Sequence, residues 1–149
     1  MDLEVYSVEN VSPFNIYFSA NPVQTAPDQT SISKMKPFYG WALLDSGASS
    51  CFIHPRMVKE YRIPTRKKNK PKKLKVIDGH DISSGLVTEE CTFILHLGSH
   101  TEQISCNVAE IGKHSLVLGM SWLKLHNPVI DWTTKHISFT SSFCTKTCR

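Results

Sequence analysis

The chain has 149 residues, room for one domain with or without a tail. Apolar residues make up 40% and charged ones 20%, with a formal net charge of +4, a balance that excludes wholesale disorder and a polycation built to coat nucleic acid. No run approaches the ~20 apolar residues a spanning helix needs, and the opening residues, MDLEVYSVEN, lack the basic and apolar regions of a signal peptide.

In chain order, residues 1–32 read as a leader or linker. The part from 19 to 33 is rich in Pro, Ser, Thr, Asn and Gln and has no sustained period. The stretch VSPFNIYF is apolar enough to dock as a strand, although Pro13 argues against one. From about residue 33 to residue 140 the character changes. Short β-rich segments are expected at 38–44, 72–77, 86–87, 91–97, 103–108, 115–118 and 137–139, punctuated by Gly, Asn, Asp, Ser or Pro. Such spacing indicates an all-β sandwich or closed barrel. Phe93, Leu95 and Leu97 alternate with Thr92, Ile94 and His96, and Asp78-Gly79 signals a tight turn. One short helix is expected over 54–61, with Pro55 suited to a first helical turn. A second is expected over 120–126, stopped by Asn127-Pro128. Residues 141–149 read as a tail.

The charge is unevenly placed. Arg62, Arg66, Lys67, Lys68, Lys70, Lys72, Lys73 and Lys75 fall in one segment without an acid, which contributes +8 and leaves −4 on the rest of the chain. At this density the run invites a nucleic-acid reading, but it holds no aromatic residue for base stacking. It is expected to be a solvated loop. Five cysteines, an odd number, with no secretory signal, point to a reducing, intracellular and cytoplasmic setting. Cys144 and Cys148 read as an exposed free pair, since no second pair completes a zinc set. The seven histidines are scattered, so neither a metal nor a cofactor is expected.

The stretch that carries chemistry is WALLDSGASSCF. An apolar run delivers Asp45 to the end of a strand, where the chain must turn at once. Gly47 is expected to supply a backbone geometry that other residues resist. Ser46 offers a hydroxyl to hold the loop, and Ala48 lets another segment pack close. Cys51 has no identifiable base and reads as a small buried residue. About seventy residues on comes a second apolar run ending in glycine, Leu116-Val117-Leu118-Gly119.

ALLDSGAS with a downstream LVLG resembles a retropepsin, the aspartic protease of retroviruses and LTR retrotransposons. The continuation LVLGMSWLKLHNPVIDW is similar to the gypsy-type branch, whose pattern Gly119, Trp122, Leu123, His126, Asn127, Pro128, Ile130, Asp131 and Trp132 fill. The resemblance implies a retropepsin-like closed β-barrel or sandwich with one or two short helices, half of a two-fold dimeric aspartic protease. It implies that Asp45 is catalytic, with Ser46, Gly47 and Ala48 as the active-site loop. Leu118 and Gly119 would pack beside that loop. A β-hairpin flap is expected over 75–84, with Ile77, Asp78, Gly79 and His80 facing the substrate. Met120 and Ser49 stand where viral enzymes carry an arginine and its acidic partner, so the dimer is expected to lack that tie.

Elementary chemistry agrees with this reading. Peptide hydrolysis by carboxylates uses two of them sharing one proton, one taking a proton from water and the other giving one to the carbonyl oxygen. The chain has a single Asp-Ser-Gly. Asp131 lacks the glycine turn and reads as a cap or surface acid. Each chain therefore supplies half a site, and a two-fold homodimer completes it. The expected function is an aspartic endopeptidase whose partners are a second copy and a polypeptide of the Gag-Pol polyprotein type. The competing reading is an idle, domesticated module for dimerisation or binding, with weak nucleic-acid binding through residues 62–75.

Overall fold

The computed structural model describes residues 14–23, 36–74 and 85–148. Nine strands and three short helices occur among them. The first strand, β1 (Asn15–Pro22), begins beyond Pro13, so that proline interrupts no pairing. Phe14, Ile16, Phe18 and Ala20 are buried while Tyr17 is exposed, the period of two that a one-sided strand requires. Residues expected to belong to the leader are thus part of the sheet, and the domain takes in at least Phe14.

β2 (Phe38–Leu44) pairs antiparallel with β1 on one edge. On its other edge it pairs in parallel with β7 (Leu116–Leu118), Ala42 facing Leu116 and Leu44 facing Leu118. All three residues of β7 are buried, as expected of a strand covered on both faces. β7 is flanked on its far side by β3 (Phe52–Ile53), which runs parallel to β6 (His100–Val108). β6 pairs with the long β5 (Leu86–Leu97), and residues 93–96 of β5 return to β1. The six strands β1-β2-β7-β3-β6-β5 thereby close into a barrel. Its interior is packed with Phe18, Phe38, Phe93, Leu95, Ile53, Leu116 and Leu118.

The basic segment is not the solvated loop expected. It forms β4 (Thr65–Lys73), hydrogen-bonded to the first half of β5 and lying outside the barrel. An edge strand clear of the core needs no apolar face, and its lysines discourage pairing with other chains. The register slips between Lys67 and Lys72, a bulge that contains Pro71. Arg66 and Lys68 share Glu90 on β5, at 3.0 and 3.6 Å.

α1 (Pro55–Glu60) is capped by His54, whose Nδ1 accepts from the Arg56 N–H at 3.0 Å. With Nδ1 accepting, Nε2 carries the proton and donates to Glu110 at 2.7 Å, which holds that carboxyl below its ordinary pKa. α2 (Met120–His126) ends at Asn127 in the left-handed conformation, φ 41°. β8 (Val129–Asp131) and β9 (His136–Ser138) form a separate hairpin. Asp131 caps its turn by accepting from the N–H groups of Thr133 and Thr134. The expected tail instead forms a third helix, α3 (Ser142–Thr147), capped by Ser141. Cys144 on α3 is buried, not exposed, because the helix lays it against the end of α2 with its Sγ 3.6 Å from the His126 carbonyl oxygen.

Candidate active site

Asp45 is the first residue after β2 and is half-buried. Its backbone N–H donates to the Leu118 carbonyl oxygen at 3.0 Å, and its own carbonyl oxygen accepts from the Ala48 N–H at 3.1 Å. The side chain is fixed as well, since Oδ1 accepts from the Gly47 N–H at 2.8 Å. Ser46 and Gly47 are exposed, while Ala48 turns inward.

Gly47 is needed for a reason other than the one expected. It is not among the residues with positive φ. A Cβ at this position would stand 3.1 Å from Asp45 Oδ1, crowding the carboxylate that the Gly47 N–H holds. Gly119 is the more demanding position. A Cβ there would run into the backbone carbonyl of Ser50 and lie 2.6 Å from the Ala48 carbonyl oxygen, so only glycine lets β7 pass the loop.

The next residues then close a second set of bonds. The Met120 N–H donates to the Ala48 carbonyl oxygen at 2.6 Å and the Ser121 N–H to that of Ser49 at 3.3 Å. The first turn of a helix has N–H groups without intrahelical partners, and here the Asp45 loop accepts from two of them. Leu118 and Gly119 thus sit beside the loop and α2 braces it from behind. Ser49 is exposed and Met120 half-buried.

One neighbour of the loop, His114, was not singled out from the sequence. His114 lies close enough to feel the Asp45 charge, although burial and the nearby Lys113 lower its pKa on balance. Cys51 is buried as expected, and burial pushes its thiol up to about 11.

Ile77, Asp78, Gly79 and His80 lie outside the described residues. The arms leading to them are described. Lys73 pairs with Leu86, and the Leu74 N–H donates to the Gly85 carbonyl oxygen at 3.1 Å. β4 and β5 are therefore antiparallel arms, joined in the chain by residues 75–84. They are tied to the loop through a small apolar cluster of Phe52, Val87, Ala109 and Val117, against which Leu74 and Ala48 pack.

The arrangement presents one half-buried carboxylate, held by the Gly47 N–H, in a loop whose Ala48 packs on the same apolar cluster as the β4–β5 arms. The PEG10/RTL1 protease domain is the family whose model matches this chain, over residues 41–148. The chain belongs to that family. The matched span includes the Asp45 loop, both arms, β7, α2 and α3, so the family extends beyond the expected end of the domain at residue 140. Among solved structures, the chain is similar to the retroviral protease-like domain of Ddi1 from Leishmania major. The identity is 16%, with 89% of this chain and 91% of that one covered and a TM-score of 0.54. At that identity the likeness concerns the fold, and the fold is retropepsin-like, as the Asp45 and Gly119 motifs implied.

Proposed function

We propose that the protein is an aspartic endopeptidase that works as a two-fold homodimer, with one Asp45 from each chain. The observation that carries this reading is the doubly fixed Asp45. Its backbone is bonded to Leu118 and its carboxylate to the Gly47 N–H. A loop held this way presents a carboxylate in one geometry, and catalysis depends on such positioning.

In the dimer the two carboxylates share one proton, because like charges about 3 Å apart do not both ionise. The ionised one takes a proton from a water molecule as that water attacks the peptide carbonyl carbon. The protonated one donates to the carbonyl oxygen. Collapse of the tetrahedral intermediate breaks the C–N bond, and the amine leaves with a proton. Segment 75–84 is the flap in this reading, closing over an extended polypeptide and excluding water. The substrate class is a polyprotein of the Gag-Pol type, in keeping with the gypsy-type likeness of the stretch from Gly119 to Trp132.

An idle binding module would leave the fixed carboxylate without a role. Cleavage of a peptide library at mildly acidic pH, run beside Asp45→Asn, separates the two readings. Cleavage by the parent alone supports the protease. Equal cleavage by both, or by neither across the library, overturns it.

A further inference from the structure

The fold gathers four side chains that lie far apart in the chain. His100 and Glu102 point to the same face of β6. His126 ends α2, and Cys148 follows α3. One ligand atom from each, the imidazole nitrogens, a carboxylate oxygen and Sγ, falls within 4.8 Å of all the others. The expectation that the histidines do not cluster is thus corrected, because strand pairing and helix packing bring positions 100 and 126 together.

The decisive detail is His126, 1% exposed. Its Nδ1 faces the Trp122 carbonyl oxygen at 3.0 Å. A carbonyl only accepts, so Nδ1 carries the proton and Nε2 is the atom that turns inward. That Nε2 is sealed from solvent and faces Glu102 Oε2 at 2.9 Å. A neutral imidazole would aim a lone pair at the carboxylate there, so the pair calls for a cation: a proton on Nε2, which makes an imidazolium–carboxylate pair, or a metal ion in the proton's place. A histidine whose Nδ1–H is held by a backbone carbonyl is also the usual form of a metal ligand at Nε2.

The surroundings supply the remaining requirements. His100 Nε2 stands 2.5 Å from the same Glu102 oxygen. Trp122 Nε1 donates to the Glu102 carboxylate at 3.0 and 3.2 Å, orienting it. Phe139 stacks on His100 at 3.8 Å and Phe143 meets His126 edge-on at 5.3 Å, so both rings are locked. A cleft of about 500 Å³ opens onto His100 and Cys148 and offers an entry path.

We infer that His100, Glu102, His126 and Cys148 form a four-ligand site for a divalent zinc-class ion. Two nitrogens, one oxygen and one sulfur suit zinc, whereas calcium and magnesium take oxygen ligands. Tetrahedral zinc holds its ligand atoms about 3.3–3.8 Å apart, so the carboxylate retreats from the imidazoles by about 0.5–1 Å and Sγ closes in. Four protein ligands leave no open position, and the ion's role is structural. It pins the chain after α3 to β6 and to the end of α2, the helix that braces the Asp45 loop.

The test uses the full chain, stripped with a chelator and titrated with Co²⁺, then with Zn²⁺ in competition. One equivalent of Co²⁺ is expected to give the visible bands of a tetrahedral site together with a thiolate charge-transfer band. Zn²⁺ is expected to displace it and to raise the melting temperature. Cys148→Ser, at a half-exposed position that leaves folding intact, removes the charge-transfer band. It also weakens binding more than about tenfold, the lower range for loss of even an outer partner. His126→Gln, checked for folding by circular dichroism, gives the same loss. Absence of one-to-one binding overturns the inference. So does binding that survives Cys148→Ser but disappears with the exposed His136→Ala, which marks an ion held adventitiously at the surface. The readouts are spectroscopic and thermal, so they stand apart from any peptidase assay.

Discussion

The Asp45 N–H reaches the Leu118 carbonyl oxygen at 3.0 Å, continuing the parallel pairing of β2 with β7 one step past Leu44. That bond makes the position of the carboxylate a property of the sheet. Gly119, the residue after the acceptor, is where the same strand crosses the loop.

Gly119→Ala is therefore expected to damage both stability and activity. The added methyl meets backbone at Ser50 and Ala48, which has no rotamer to change. Urea denaturation should show a loss of about 1–3 kcal/mol, the usual range for overpacking. Cleavage should fall further than the folded fraction does, because the loop must move to make room.

Asp45→Asn is expected to abolish hydrolysis while leaving the fold intact. Asn keeps an oxygen for the Gly47 N–H but neither ionises nor relays a proton. General acid–base catalysis by one group is worth about 10²–10⁴-fold, and the dimer loses two such groups. The parent's pH–rate profile should be bell-shaped and acidic, reporting the coupled pair. Asp131→Asn should keep that profile, since Asp131 caps a turn in the β8–β9 hairpin.

Assembly gives a concentration test. Activity per chain should rise with protein concentration and level off as the dimer saturates, and sedimentation should show the same transition. Full activity from a strictly monomeric species would defeat the shared-site reading.

The cysteines give a pH test. Burial raises the Cys51 thiol to about 11 and the Cys91 thiol to about 12, and it places Cys106 well above its ordinary value. The thiolate is the reactive form. Raised values mean that all three stay protonated at pH 8, so alkylation of the native chain should be very slow. Unfolding in urea at the same pH should make them react at once, as mass spectrometry would count.

Much of this site was legible in one sequence because its parts are local. The apolar runs leading into Asp45 and Gly119 are strand signals joined to turn residues. β2 and α2 lie where those signals put them. The failures have a common cause in tertiary context. β4 has no apolar face because it lies outside the barrel, so its lysines looked like a loop. Thr88-Glu89-Glu90 divided β5 into two apparent segments, although the ladder to β4 runs through Glu89 and Glu90. α3 is too short to show a periodicity of its own, and Cys144 is buried only because α2 is there to receive it. The cluster around Glu102 spans 49 positions of sequence, from His100 to Cys148, and no spacing rule reaches that far.

The unequal support along β5 has a mechanical result. From residue 93 to 96 the strand is bonded on both edges, to β1 and to β6. From Leu86 to Glu89 it is bonded to β4 alone. Those four residues extend about 13 Å at the usual rise per residue, and beyond the β4 ladder they are held by the packing of Val87 against Phe52, Ala109 and Val117. A load applied at the far end is resisted by the β4 ladder and by the contacts of Val87, with no second hydrogen-bonded strand to share it. Glu90 is where Arg66 and Lys68 converge. That small charged joint marks the point along β5 where support on both edges gives way to support on one.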